Sequence, residues 1–358
     1  MIRHEILLIV ALGVGCVALA LPGQLLTGSP AAAYASTAIL VGAIICASLR
    51  IAHHAEQIAR RLGDPYGTMV LTLSAVLVEV VVLGFVIFHE GSPTLARDTI
   101  YAAVMLDING ILGLAALMGG LKHGEQSYND DSSRTYTVMI LTAMAVSMVV
   151  PEFIPGEAQH AYSIFTILIM ITLYAAFLRM QTGPHSYFFS YSYPEKRRKQ
   201  EARALPPPSA RSSILLLASG VVLVGVLAEV MSKSLSASVA ELGVPIAIPA
   251  IVVAFISASP EILTALRAAL ANRMQAVVNI ALGASLSTVI LTVPLIEALS
   301  LLTGQPFVMA MTPVQTMMVL VTLIVTAINL NDGQTNAIEG MTHFVLFATF
   351  LMLAALGL

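Results

Sequence analysis

Apolar runs of membrane length follow one another almost without pause through this chain, and they decide what it can fold into. A helix that crosses the hydrocarbon layer needs about 20 mostly apolar residues. Stretches of that kind begin near residues 5, 35, 68, 98, 136, 161, 213, 246, 274, 310 and 337. Of the 358 residues, 58% are hydrophobic and only 10% are charged, against about 25% charged in soluble domains. So few charges cannot coat a water-facing surface, and the scattered basic residues form no nucleic-acid footprint. The expected fold class is an all-α integral membrane protein with about eleven transmembrane helices.

The charges that remain lie on one side. The N-terminus and the loops after the second, fourth, sixth, eighth and tenth stretches hold all but Arg97 and Lys233 of the 17 Lys and Arg residues. By the positive-inside rule the N-terminus is cytoplasmic and the C-terminus outside. Residues 1–30 resemble a secretory signal in Arg3, the apolar run and ALALPG. Nothing after them looks like a secreted domain, so they read as one extra N-terminal transmembrane helix. The proline- and charge-rich segment 181–212, containing PEKRRKQEARALPPPSARSS, reads as a flexible cytoplasmic linker. It separates residues 31–180 from 213–358, each with five stretches. Five is odd, so the second set enters the membrane from the other side, giving an inverted five-plus-five repeat. Cys16 and Cys46 both fall in apolar stretches and make no disulfide framework or Cys/His metal signature.

Two glutamates interrupt the apolar sequence: Glu79 in LTLSAVLVEVVVLGFVIF and Glu261 in AIVVAFISASPEILTAL. A carboxylate at membrane depth is costly and is read by default as functional. They occupy the third and eighth stretches, the same place in each half, which points to a cation site shared between repeats. Thr72 shares a helix face with Glu79, and Ser257, Glu261 and Thr264 follow i, i+4, i+7 spacing. Pro260 clashes with the carbonyl four residues back, so the Ile256 carbonyl is expected to be free beside Glu261. Carboxylate, hydroxyl and carbonyl oxygens suit a hard cation such as Ca2+. Asn279, Gly283 and Ser287 form a stripe in the ninth stretch. Asn109 and Gly113 share a face in the fourth, where Asp107 is a candidate third acid. Without water a carboxyl group needs a proton or a cation and cannot hold both well, which is the chemistry of proton-coupled antiport. Glu229 and Glu297 are expected near water at the outer ends. His53, His54 and His123 are expected as solvated loop residues, and His343 either as a partner for Glu339 one turn away or as a buried neutral histidine.

RLGDPYGTMVLTLSAVLVEV (61–80), SPTLARDTIYAAVML (92–106), SASPEILTALRAALANRMQAVVNIALG (257–283) and DGQTNAIEG (332–340) resemble the bacterial sodium/calcium–proton antiporters. These belong to the cation/proton exchanger branch of the calcium/cation antiporter superfamily. The resemblance runs from about residue 35 onward and implies eleven helices, an inverted repeat and alternating access. It matches the family's two essential acids to Glu79 and Glu261, and its N-x-x-E-G signature to Asn336, Glu339 and Gly340. The family's polar positions after each acid match the surroundings of Asn109 and of Gly283 and Ser285. This chain departs in carrying Ala75 and Val76, and Ser257 and Ala258, where many relatives have Gly-Asn before each acid. Its central loop is basic where many members carry an acidic run.

The expected activity is exchange of cytoplasmic Ca2+, with Na+ and K+ left open, for external protons in a bacterial inner membrane. No H-E-x-x-H or other enzyme signature stands out. The runner-up readings are a cation channel and an exchanger of a different monovalent cation only. No cofactor is expected beyond the transported ions. The expected partners are the lipid bilayer, inorganic cations and protons and no nucleic acid, with a homo-oligomer left open.

Overall fold

The computed structural model describes residues 5–20, 30–62, 66–183, 185–189, 191, 210–242, 245 and 247–358. Their architecture is a bundle of helices: α1 (Ile6–Ala20), α2 (Pro30–Leu62), α3 (Tyr66–Glu90), α4 (Leu95–His123), α5 (Asp130–Phe153), α6 (Gly156–Thr182), α7 (Ala210–Leu242), α8 (Ala247–Leu270), α9 (Met274–Thr303), α10 (Pro313–Asn329) and α11 (Ala337–Ala355). Among the described residues nine helices are long and apolar enough to cross a membrane, while α1 and α10 are shorter apolar helices. The helices fall into two sets of five, α2–α6 and α7–α11, with α1 outside the repeat. Two short strands, β1 (Gln126–Ser127) and β2 (Gln334–Thr335), pair antiparallel and join a loop of each repeat. This long-range pair is the one departure from an all-helical chain among the described residues.

Local chemistry sets the helix ends. Asn129 caps α5 by accepting from the Asp131 amide, and Thr312 with Gln315 closes a capping box ahead of Pro313 on α10. Gly124 and Gly304 end α4 and α9 at φ of 77° and 69°, where a side chain would strain the backbone. Both α4 and α9 break near their middles into π-helical turns, Leu106–Leu112 and Thr288–Thr292. Such turns insert an extra residue and often mark functional positions.

Packing arranges the helices in three groups. The long helices α2 and α7 lie together, with α1 resting on both. Helices α3, α4, α8 and α9 form the centre, and α5, α6, α10 and α11 cover its far side. Most of the residues of α4 are buried inside the bundle and few of those of α6 are, which puts α4 at the core and α6 at the rim. The two repeats are not packed alike: α8 lies along α4, whereas α3 touches α9 only lightly.

Two histidine expectations need correction. Helix α2 continues to Leu62, so His53 and His54 are helical rather than in a loop. His54 is buried and hydrogen-bonds Glu5, which also receives two bonds from the Arg50 guanidinium at 2.6 and 3.1 Å. Most of the expected linker lies outside the described residues. Its first part forms a short 3-10 turn, Ser186–Phe189, whose Tyr187 and Phe189 carbonyls accept from Asn129 and Asn279.

Candidate cation site

Glu79 and Glu261 come from opposite repeats and both lie on the central group of helices, near enough for Glu261 to act electrostatically on Glu79. Glu79 lies midway along α3 and is only 4% exposed. Its Oε2 accepts a hydrogen bond of 2.8 Å from Thr288 Oγ1, in the π-helical turn of α9. Its Oε1 is buried with no partner among the described residues. Glu261, on α8, is half-buried, and its Oε2 is likewise sealed without a partner. Asp107 lies in the π-helical turn of α4 and is 2% exposed. Its Oδ2 accepts from Ser285 Oγ at 3.2 Å. The three carboxyl groups are near enough to interact electrostatically. They do not close on one point: among the described residues no three Asp, Glu, His or Cys side chains form a metal-holding group.

Buried carboxyl oxygens without donors are expensive to keep. Two of them, from symmetry-related helices, leave a place for a positive charge or for protons. Helix α9 supplies the hydroxyls, since Ser285 and Thr288 are spaced i, i+3 and reach Asp107 and Glu79 respectively. Thr288 was not among the expected residues. The signal that could have found it is the i, i+3, i+7 series Ser285, Thr288 and Thr292.

Other expected residues turn elsewhere. Asn109 is fully buried and committed on both sides: its Nδ2 donates to Thr322 Oγ1 at 2.8 Å and its Oδ1 meets His343 Nδ1 at 3.0 Å. Asn279 donates to the Phe189 carbonyl and accepts from Gln275, away from the acids. The Ile256 carbonyl is not free, because Ser259 Oγ donates to it at 2.8 Å. Ser257 bonds back to the Val253 and Ala254 carbonyls. Thr264 is exposed and bonded to the Pro260 carbonyl, so it leaves the face of Glu261. Thr72 is half-buried two turns from Glu79. Asn336 caps α11 through the Ile338 and Glu339 amides and donates to Glu339 Oε1. His343 therefore pairs with Asn109 and not with Glu339. Glu229 is exposed and paired with Lys233. Glu297 is buried at 5% exposure rather than wet, with Oε2 unpartnered among the described residues.

Two inverted sets of five helices, with an acid from each on the central helices, define a membrane transporter and not an enzyme. The chain belongs to the sodium/calcium exchanger protein family, whose model matches residues 32–183 and 212–356. It is a multi-pass membrane protein. The chain is 30% identical to the sodium-potassium/proton antiporter ChaA of Escherichia coli strain K12, covering 87% of this chain and 86% of that protein. It is 26% identical to the Ca(2+)/H(+) antiporter ChaA of Bacillus subtilis strain 168, over 74% of this chain and 75% of that one. Among solved structures, native YfkE superposes with a TM-score of 0.78 at 19% identity, covering 98% and 99% of the two chains.

Proposed function

We propose that this chain exchanges Ca2+, or Na+ or K+ in its place, for protons across a bacterial inner membrane. The observation that carries this reading is a pair of buried oxygens without a partner among the described residues, Glu79 Oε1 and Glu261 Oε2, one from each repeat. Glu79 and Glu261 are the shared ligands, Asp107 is a third carboxyl facing them, and Ser285 and Thr288 add hydroxyls. Each acid holds a proton or shares a cation, so arrival of one releases the other. The relatives' names support cation–proton exchange and divide over the cation, Na+ and K+ in one and Ca2+ in the other. Two carboxylates together neutralise one divalent ion, which favours Ca2+.

The basic end of the bundle, with Arg60, Arg134, Arg211 and Arg273, lies in the cytoplasm, as does the N-terminus. The C-terminus then lies outside. In that orientation inward proton flow drives cation export. Any net charge moved adds about 2.3 kcal/mol per 100 mV of membrane potential.

Everted vesicles with an acid interior and a pH-sensitive dye test the reading. Addition of Ca2+, Na+, K+ or Mg2+ in turn ranks the ions. Proton release that is lost in both Glu79→Gln and Glu261→Gln supports exchange through the paired acids. No cation-dependent release from folded wild type sinks it and favours a channel.

A further inference from the structure

Helix α11 approaches α4 across bare backbone. A Cβ at Gly340 would overlap the Leu117 amide nitrogen, and one at Gly120 would overlap the Ala337 amide nitrogen. A Cβ at Gly113 would lie 2.8 Å from His343 Cβ and 3.0 Å from the Phe344 nitrogen. Glycine at these places is what lets α11 sit close enough for His343 to reach into the broken part of α4. The Asn336 cap fixes where α11 begins. The N-x-x-E-G signature thus serves the packing of α11 on α4, since Asn336 sets the helix start and Gly340 permits the approach.

His343 is 2% exposed, and its ring meets Asn109 Oδ1 through Nδ1. Asn109 Nδ2 faces Thr322 Oγ1, which in turn faces Met105 Sδ. With the amide nitrogen donating to Thr322, the Asn109 oxygen can only accept, so His343 Nδ1 carries the proton. Asn109 and Asp107 are two residues apart in the π-helical turn, and side chains so spaced leave a helix on opposite sides. One side is pinned by His343 and Thr322, from α11 and α10. The other side presents Asp107 to Ser285.

We propose that His343 is a positioning residue for cation binding: through Asn109 it fixes the π-helical turn of α4 so that Asp107 faces the two glutamates. This rests on the exchange reading only in taking Asp107 as part of the cation site.

The test measures binding of radiolabelled Ca2+ to the purified, folded full chain, alongside exchange in vesicles. His343→Leu keeps the bulk but loses the donor. It is expected to weaken Ca2+ binding about tenfold, the effect of one buried hydrogen bond. His343→Asn places an amide donor where Nδ1 was and is expected to recover most of that loss. In an Asp107→Asn background, His343→Leu is expected to change affinity less than twofold, because the group it positions is already altered. The proposal is overturned if His343→Leu binds Ca2+ like wild type. It is equally overturned if the Asn variant is as weak as the Leu variant, or if the full loss persists in the Asp107→Asn background. Ca2+ binding without exchange sinks the exchange reading alone, and the variant affinities still decide the role of His343. No Ca2+ binding by folded wild type overturns this proposal.

Discussion

Thr288 donates to Glu79 across 209 positions of sequence, so the acid of the first repeat is held by a hydroxyl of the second. Hydrogen bonds to ionised groups are worth about 1.5–3 kcal/mol. Thr288→Val keeps the shape and removes the donor. The cation concentration for half-maximal exchange is expected to change by about 10- to 100-fold. Dye-reported exchange over a cation series checks this, and a curve matching wild type would remove Thr288 from the site.

The acid Glu5 holds α1 to α2. Burial alone would raise its pKa, but the hydrogen bonds from Arg50 and His54 outweigh burial and hold it below its ordinary 4.5. A lowered carboxyl stabilises the fold fully above its ordinary value and loses that contribution as pH falls through the lowered one. Wild type should therefore melt higher than Glu5→Gln at pH 7 and pH 5, with the gap closing below about pH 4.5. Apparent melting temperatures in detergent at stepped pH give the answer, and a gap that widens in acid contradicts it.

Gly340→Ala forces a methyl group into the Leu117 backbone, which has no rotamer to change. Overpacking costs about 1–3 kcal/mol, and this site belongs at the upper end or beyond. Gly42→Ala is the contrast, since nothing lies within 4 Å of the added atom. It should be neutral or gain about 0.5–1 kcal/mol in helix preference. Thermal unfolding of the two variants side by side separates close approach from glycine content, and equal stabilities would refute the seam.

Among the described residues the buried acid Glu297 on α9, which packs against α6, has an oxygen without a partner and no tie to the three central carboxyl groups. Glu297→Leu removes that oxygen, so the protein should melt at the same temperature or higher. Exchange should stay within about twofold of wild type if the acid lies off the ion path. A collapse of exchange with the fold intact would place Glu297 on the path.

Much of this was legible in the amino-acid sequence. Helix length follows from apolar runs, and the expected starts near 5, 68, 246, 274 and 337 lie within two residues of those of α1, α3, α8, α9 and α11. Glu79 and Glu261 stand out because charge is rare in such runs. On α9 the expected Ser285 reaches Asp107, but the stripe of Asn279 turns elsewhere. The carboxamide of Asn279 drew attention to the stripe with Gly283 and Ser287, yet that face looks toward Phe189 and Tyr136. The face with Ser285 and Thr288 carries only hydroxyls. The freed carbonyl at Ile256 failed for a local reason: a proline displaces its partner, and a serine one residue earlier supplies another. Tertiary ties such as His343 to Asn109 have no local signature, because their partners are 234 residues apart.

At Gly340 and Gly120 the glycine seam brings α4 and α11, from opposite repeats, backbone to backbone. Backbone cannot change rotamer, so sliding or tilting at those two points would cost close contact. It works as a splint. Slack lies instead where α3 meets α9 only lightly. A change of shape is therefore expected to keep α4 and α11 together and to open first where α3 meets α9.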